Sequence, residues 1–155
     1  MLVANKPGVL VRIALVFARR GFNIDSLVVS AGFNPRFSRM TITAQGAPEI
    51  LRPVIHQLNK LIDVIHAFEH TGKDSVHTEL ALFKVKYTPT TKAILTKLIK
   101  GYRTRILDDS EKTMILEQAG PTEDLNILES KLKKYGMVEM VRTGKVVMVK
   151  GHEAT

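Results

Sequence analysis

The chain has 155 residues, enough for one domain or two small ones, and its 45% hydrophobic and 25% charged residues are ordinary for a globular protein. It contains no cysteine, which excludes disulfides, thiolate nucleophiles and most zinc sites. No apolar run approaches the ~20 residues that a membrane span needs, and no secretion signal is recognisable, so we expect a cytoplasmic protein with no membrane partner.

The charge is strongly basic, with a formal net charge of +8 and a pI near 9.8. A basic balance can indicate a nucleic acid, a membrane surface or an acidic protein as partner. Here the lysines and arginines are scattered, and no like-charged run is longer than two residues. A solvated basic surface is therefore favoured, with a docking face for an acidic protein as the next interpretation.

The first half of the chain is predicted to run strand, helix, strand, strand, helix, strand. Apolar residues recur at helical spacing in the first helix, and Gly21 suits the left-handed residue that follows many helices. The alternation after Phe37 is typical of a half-buried antiparallel strand. Pro53 indicates that the second helix either begins near Arg52 or kinks there. The predicted bounds are strand 1–4, helix 8–20, strands 22–31 and 37–45, the helix carrying Leu51 to Ile62, and strand 62–69.

A polar connector at 70–78 separates this half from a second one with the same pattern. The second half is predicted to contain strand 79–87, a helix opening at Thr88-Pro89, strands 104–108 and 112–119, a helix from Gly120-Pro121 to Gly136, and strand 138–141. A turn at 109–111 joins its two middle strands. Residues 142–145 predict a hairpin turn before a last strand at 146–149. The predicted domains are 1–71 and 79–155, with a linker at 72–78.

The two halves predict an α+β protein of two tandem ferredoxin-like βαββαβ units. Residues 39–46, before the second helix of the first half, have their counterpart at 112–120 in the second. Each unit would be one sheet with two helices on one face. A unit of ~70 residues buries only roughly 60% of its unfolded surface, so we expect it to pair with the other half or with another subunit.

The turn at Lys6-Pro7-Gly8, between the first strand and the first helix, is the candidate binding site. Unpaired N–H groups and the helix dipole attract a carboxylate or phosphate there without a charged side chain. Asn5 lies at this rim of the sheet and Asn23 at the opposite one, so the two can meet only across a two-fold axis between subunits. The carboxamide of Asn23 suits the amino and carboxylate groups of an amino acid. Apolar walls for a branched side chain would come from Val9, Leu10 and Ile24.

Each of these residues also has an ordinary structural interpretation. Asn5 suits a turn residue bonded to its own backbone, Gly8 a helix-start glycine, and Asn23 a polar strand end. Composition and spacing alone favour these interpretations over a ligand site.

The sequence also resembles a known family. Residues 5–13, 17–27 and 38–42 resemble the N-terminal ACT domain of the small regulatory subunit of acetohydroxyacid synthase (acetolactate synthase). The match continues through 57–64, and residues 79–85 and 141–144 are similar to the second half of that family. The run from Arg19 to Leu27 is the most specific part, whereas the turn motif by itself occurs in many ACT domains.

The resemblance implies a non-catalytic regulatory subunit in branched-chain amino-acid biosynthesis. Such subunits activate a catalytic large subunit and make it sensitive to feedback by valine, leucine or isoleucine. Thiamine diphosphate, Mg²⁺ and FAD would belong to that large subunit, and none to this chain. Two ACT domains would pair as a homodimer, joining two four-stranded sheets, with the effector at the interface. Carried over to this sequence, the effector positions are Asn5, Lys6, Pro7, Gly8, Val9 and Leu10 of one subunit and Asn23 and Ile24 of the other.

Other classes of function are less well supported. An RNA-binding module shares the topology, but the residues after Arg20-Gly21-Phe22 lack its stacking aromatics, so no nucleic-acid partner is expected. No nucleophile–base pair or phosphate loop predicts an enzyme, and Asp108-Asp109 is typical of a turn. Solvated histidines are favoured over a zinc site at His66, His70 and His77. A stand-alone ACT-type amino-acid sensor that regulates a different enzyme is the alternative function.

Overall fold

The computed structural model describes residues 1–70, 74–152 and 155, which form two compact units. The first unit comprises Met1–Val76 and Gly144–Thr155, and the second His77–Thr143. In chain order the elements are β1 (Leu2–Ala4), α1 (Val9–Arg19), β2 (Ser26–Ala31), β3 (Phe37–Thr43), α2 (Pro48–Leu58), β4 (Val64–His66), β5 (Ser75–Lys86), α3 (Pro89–Lys100), β6 (Thr104–Ser110), β7 (Thr113–Gly120), α4 (Thr122–Leu132) with a 3₁₀ turn at Lys133–Tyr135, β8 (Met137–Arg142) and β9 (Val146–Val149).

The first unit is built on a sheet of strand order β2-β3-β1-β4 with antiparallel neighbours. Val3 of the central β1 lies opposite Ser38 and Val64, and all three are buried. Apolar residues of α1 and α2 complete one core with this sheet. The buried core residues are Val3, Val9, Ile13, Phe17, Met40, Val54, Leu58, Val64 and Ala67.

The second unit repeats this arrangement with the strand order β6-β7-β5-β8. Its core lies between α3, α4 and the sheet and contains Ala81, Phe83, Val85, Leu95, Ile99, Met114, Leu116, Leu125, Leu128 and Leu132. The order and direction of the strands are those of the first unit. The predicted α+β class, with two tandem ferredoxin-like units, is therefore confirmed.

β2 begins at Ser26, four residues after the predicted start at Phe22. The Phe22 N–H donates to the Phe17 carbonyl oxygen at 3.0 Å, so this residue closes the end of α1. The side chains of Phe22 and Ile24 pack against the core instead of alternating across a sheet. β4 is likewise shorter than the predicted 62–69, because the Asn59 carboxamide takes up both backbone groups of Ala67, at 2.8 and 2.9 Å.

α2 begins at Pro48 and contains Pro53 in its interior. Of the two predicted alternatives, a helix start near Arg52 is therefore wrong, and a kink at Pro53 stays a prediction. Proline suits the first helical position because it has no N–H to leave unpaired, so Pro48 is a favourable start of the helix. The spacing of the apolar residues did not indicate this start. Pro53 itself is exposed and cannot donate to the Glu49 carbonyl group one turn earlier.

The last strand does not form the predicted hairpin with β8, because β9 pairs with β5. β5 begins at Ser75, inside the predicted linker; residues 71–73 of that connector lie outside the described residues. The Lys150 N–H donates to the Asp74 carbonyl oxygen at 2.8 Å. The structure therefore groups Gly144–Thr155 with the first unit, and the predicted domain bounds of 1–71 and 79–155 stay a prediction.

Candidate functional site

The site predicted at the end of β1 starts with Asn5, whose backbone and side chain both bind the β2–β3 loop. The Asn5 N–H donates to the Arg36 carbonyl oxygen at 2.8 Å, and its Nδ2 donates to the Pro35 carbonyl oxygen at 3.0 Å. Asn5 thus fixes the position of the turn against a neighbouring loop. Its Oδ1 accepts no hydrogen bond from the described part of the chain.

Gly8 is the N-cap residue of α1 and has a φ of 81°, a conformation that favours glycine. No side chain caps this end of the helix, and its first turn holds no acidic residue. The Val9 N–H reaches the Lys6 carbonyl oxygen only at 3.4 Å. Within the described residues the N–H groups of Gly8, Leu10 and Val11 donate to no backbone acceptor. These donors lie at the positive end of the helix dipole and suit a carboxylate or phosphate.

A positive side chain lies beside these donors. Arg12 Nη1 is 3.1 Å from the point that a Cβ on Gly8 would occupy. The Arg12 guanidinium is held by Asp63, whose Oδ2 lies 2.9 Å from Nε and 2.6 Å from Nη2. The Asp63 carbonyl oxygen in turn accepts the Ala4 N–H at 2.8 Å. Arg12 was not among the residues predicted for the site. Its position one helical turn after Gly8 could have indicated it, whereas nothing in the sequence indicates Asp63.

The second group of predicted residues lies in the loop before β2. Asn23 is exposed, and its Nδ2 donates to Asp25 Oδ1 at 3.2 Å, whereas Ile24 is half-buried against the core. β1 and β2 are both antiparallel to β3, so they run in the same direction. The start of β2 is therefore at the rim opposite to the end of β1. Asn5 to Leu10 lie together at one rim of the sheet, and Asn23 and Ile24 lie together at the other. Within one chain the two groups do not meet.

The three apolar residues expected to line the site differ in exposure. Leu10 is 42% exposed. Val9 is only 3% exposed and belongs to the core, so it offers the site only its backbone. The buried stripe of α1 is Val9, Ile13 and Phe17, which turns Leu10 outward. Ile24 keeps part of its side chain accessible.

The other candidate clusters from the sequence have structural roles. Asp109 lies in β6, not in a turn, and binds Lys92 at 2.6 Å and the Tyr87 hydroxyl. The hydrogen bond from Lys92 lowers the pKa of Asp109, and the same contact raises the pKa of Lys92. The His66 ring contacts Phe68, with ring centroids 5.2 Å apart. No group of three or more metal-ligating side chains occurs among the described residues.

Comparisons with known proteins agree with this architecture. A family model described as "AHAS small subunit-like ACT domain" matches residues 1–66, and one described as "Small subunit of acetolactate synthase" matches residues 78–151. A probable acetolactate synthase small subunit from Archaeoglobus fulgidus is 42% identical over 153 residues, which cover 99% of this chain and 96% of the relative. The chain belongs to the acetolactate synthase small-subunit family.

Further members of the acetolactate synthase small-subunit family are similar along most of their length. The small subunit from Mycolicibacterium smegmatis is 39% identical, over 97% of this chain and 89% of the relative. The crystal structure of the small subunit from Thermotoga maritima matches with a TM-score of 0.87 and 32% identity, covering 99% of this chain and 96% of that one. The predicted resemblance is thus confirmed, and the first unit is an ACT domain.

Membership of this family makes the chain a regulatory subunit of acetolactate synthase and implies a catalytic subunit as its partner. No helix in the described ranges is long and apolar enough to cross a bilayer.

Proposed function

We propose that the chain binds a branched-chain amino acid between two ACT domains and thereby regulates the catalytic subunit of acetolactate synthase. It has no catalytic role of its own in this proposal: it activates the catalytic subunit and confers feedback inhibition. Thiamine diphosphate, Mg²⁺ and FAD are held by that partner. The carrying observation is the set of unpaired N–H donors at Gly8, Leu10 and Val11, next to the Arg12 guanidinium.

These donors support recognition of an α-carboxylate. Each N–H can donate a charge-assisted hydrogen bond, and Arg12 adds a positive charge that Asp63 holds in place. Lys6 and Pro7 shape the turn and contribute only backbone. The free Asn5 Oδ1 suits the α-amino group, because a carboxamide oxygen accepts hydrogen bonds from an ammonium group. Leu10, exposed at the start of the helix, suits the branched aliphatic side chain.

A homodimer through β2 would complete this site. β2 is an edge strand of uncharged residues, without the lysines or prolines that usually protect an open edge. Its Val29 is 46% exposed, and α1 exposes Leu10, Val11 and Leu15. Antiparallel pairing of two β2 strands places the start of one strand at the rim where the other chain has its Asn5 turn. Asn23 and Ile24 of a second copy then face the turn of the first.

Regulation follows from the position of the effector between two chains. A ligand shifts an assembly only by binding two of its states with different affinities. An amino acid that contacts both chains stabilises the dimer in the arrangement that holds the site closed. The dimer then sits differently on the catalytic subunit, which changes its activity.

Calorimetric titration of valine, leucine and isoleucine into the complex with the catalytic subunit tests this proposal. We expect one effector site per chain, and so two per dimer, saturable binding of at least one of the three amino acids, and loss of acetolactate synthesis at the same concentrations. Binding without any effect on activity would support the stand-alone sensor instead. Absence of binding, with the complex intact by sedimentation, would refute the effector site.

A further inference from the structure

The second unit contains a cavity that is separate from the ACT turn. Its volume is about 530 Å³, within the range of small-molecule sites. It opens where β5 ends, α3 begins, β6 turns into β7 and the 3₁₀ turn follows α4. The lining residues are Lys86, Tyr87, Thr88, Thr91, Glu111, Lys112, Thr113, Lys134 and Tyr135. We refer to it as the lysine cavity.

The three lysines come from three different segments that backbone hydrogen bonds hold together. The Lys86 N–H donates to the Gly136 carbonyl oxygen at 3.0 Å, which ties β5 to the segment that carries Lys134. The Tyr87 N–H donates to the Lys112 carbonyl oxygen at 2.9 Å. A Cβ on Gly136 would lie 3.4 Å from the Lys86 carbonyl oxygen, so the approach is close. The backbone therefore holds together the three segments that carry the exposed lysines of the lining.

The ammonium groups of the lysine cavity have no carboxylate partners within the described residues, whereas neighbouring lysines do. Lys92 pairs with Asp109 at 2.6 Å, and Lys133 pairs with Glu129 at 2.6 Å. Glu111 is the single acidic residue among those that line the cavity, so the three lysines leave the lining with a formal charge of +2. Three positive charges around one cavity repel one another. A bound anion would attract all three and offset this repulsion.

Lys112 lines the cavity from a turn whose backbone conformation is strained. Glu111 and Lys112 both have positive φ, of 50° and 62°. A two-residue turn of this kind between antiparallel strands favours Asn-Gly, because a side chain strains the left-handed conformation. Glycine at position 112 would relieve the strain and would also remove the ammonium group. A substitution by glycine at this position should therefore raise the stability of the turn and lower the affinity of the cavity for an anion.

The remaining lining residues restrict the kind of ligand. The start of α3 is already capped, since the Thr88 hydroxyl accepts the Thr91 N–H and Pro89 has no N–H, so the site depends on the lysines and not on the helix end. Tyr87 donates its hydroxyl to Asp109 and offers the cavity its ring. Tyr135 lies on the same lining. The two aromatic rings supply an apolar surface beside the positive surface of the lysines.

We propose that the lysine cavity binds a phosphate monoester of a small organic molecule. A phosphate monoester carries a charge close to −2 at neutral pH, which matches the charge of the lining. The three ammonium groups hold the phosphate, and the tyrosine rings contact the organic part. The site is independent of the amino-acid site proposed for the ACT turn.

Phenyl phosphate, titrated into the full chain and followed by amide NMR shifts, is the test. We expect saturable shifts at the cavity residues, with phenol as the neutral comparison giving none there. Lys112→Gly should weaken phenyl phosphate at least tenfold and raise Tm, because it removes a charge and relieves the turn. Lys97→Gln, an exposed lysine of α3 outside the lining, should leave the affinity unchanged. Valine binding should be unaffected by either substitution.

Three results would overturn the proposal. The first is a set of shifts that do not saturate or that spread over all exposed lysines. The second is an affinity that Lys112→Gly leaves unchanged while Tm rises as expected. The third is tighter binding of polyglutamate than of phenyl phosphate at the same residues, which would assign the cavity to an acidic protein segment.

Discussion

Gly8 determines what the first turn of α1 can bind, because the missing side chain leaves the donors of Gly8, Leu10 and Val11 uncovered. The local spacing around Lys6-Pro7-Gly8 was enough to predict this turn, and the preference for an anion inferred from it stays a prediction. The spacing also places Arg12 one helical turn after Gly8, but it gives no indication of Asp63. Their ion pair joins residues 51 positions apart, and only the fold brings them together.

Gly8→Asp is expected to abolish valine binding and feedback while leaving activation of the catalytic subunit intact. The new carboxylate would lie beside the Arg12 guanidinium and the free N–H groups, where it would replace and repel the carboxylate of the effector. Asp tolerates positive φ better than most residues, so the turn should survive. Calorimetry and an assay of the complex measure the two effects.

Gly8→Asn is the matched control for charge. It has the same shape and the same backbone conformation as Gly8→Asp but carries no negative charge, so it should lose clearly less affinity. Equal losses in both variants would mean that bulk in the turn, and not charge, blocks the effector. Unchanged valine affinity in Gly8→Asp would remove the turn from the site.

Among the secondary-structure elements, those defined by local chemistry could be predicted from the sequence. Thr88 caps α3 with a reciprocal hydrogen-bond pair, and Gly21 and Gly136 have positive φ after α1 and the 3₁₀ turn. The elements that were misplaced depend on distant partners. β5 extends back to Ser75, beside β9, and β4 stops where Asn59 takes over the backbone of Ala67.

Pro53→Ala is expected to stabilise the protein by about 1–2 kcal/mol. Proline inside a helix removes the hydrogen bond to the carbonyl group four positions earlier, here Glu49, which lowers stability. Its rigidity also reduces the conformational entropy of the unfolded chain, which offsets a smaller part of that loss. Pro53 is exposed, so alanine leaves no cavity. Urea unfolding measures the change, and Arg52→Ala, at the exposed neighbouring position, should shift stability by less than about 0.5 kcal/mol. A loss of stability in Pro53→Ala would show that the fold depends on the proline.

At the scale of the whole molecule, the two units have the same strand order but differ at their first edge strand. β2 carries no charged residue, whereas β6 contains Arg105, Asp108 and Asp109. Charged residues on an edge strand discourage pairing with another chain. This difference identifies β2, and not β6, as the edge that is suited to a second copy.

Val29→Lys should therefore convert the proposed dimer into a monomer of 17.3 kDa. A lysine in the middle of β2 places a charge in the contact between two strands and opposes its burial. Light scattering after size exclusion gives the mass. Ile106→Lys, at a partly exposed position of β6, is the control and should leave the dimer intact. A Val29→Lys protein that keeps its dimeric mass would exclude β2 as the interface.

The grouping of Gly144–Thr155 with the first unit has a consequence for dividing the chain into fragments. β9 pairs with β5, and the Lys150 N–H donates to the Asp74 carbonyl oxygen. A fragment cut after Val76 would lose that donor, although it keeps every residue of the ACT match at 1–66. Expression of the first unit by itself therefore calls for a version that retains the stretch from Gly144 onward.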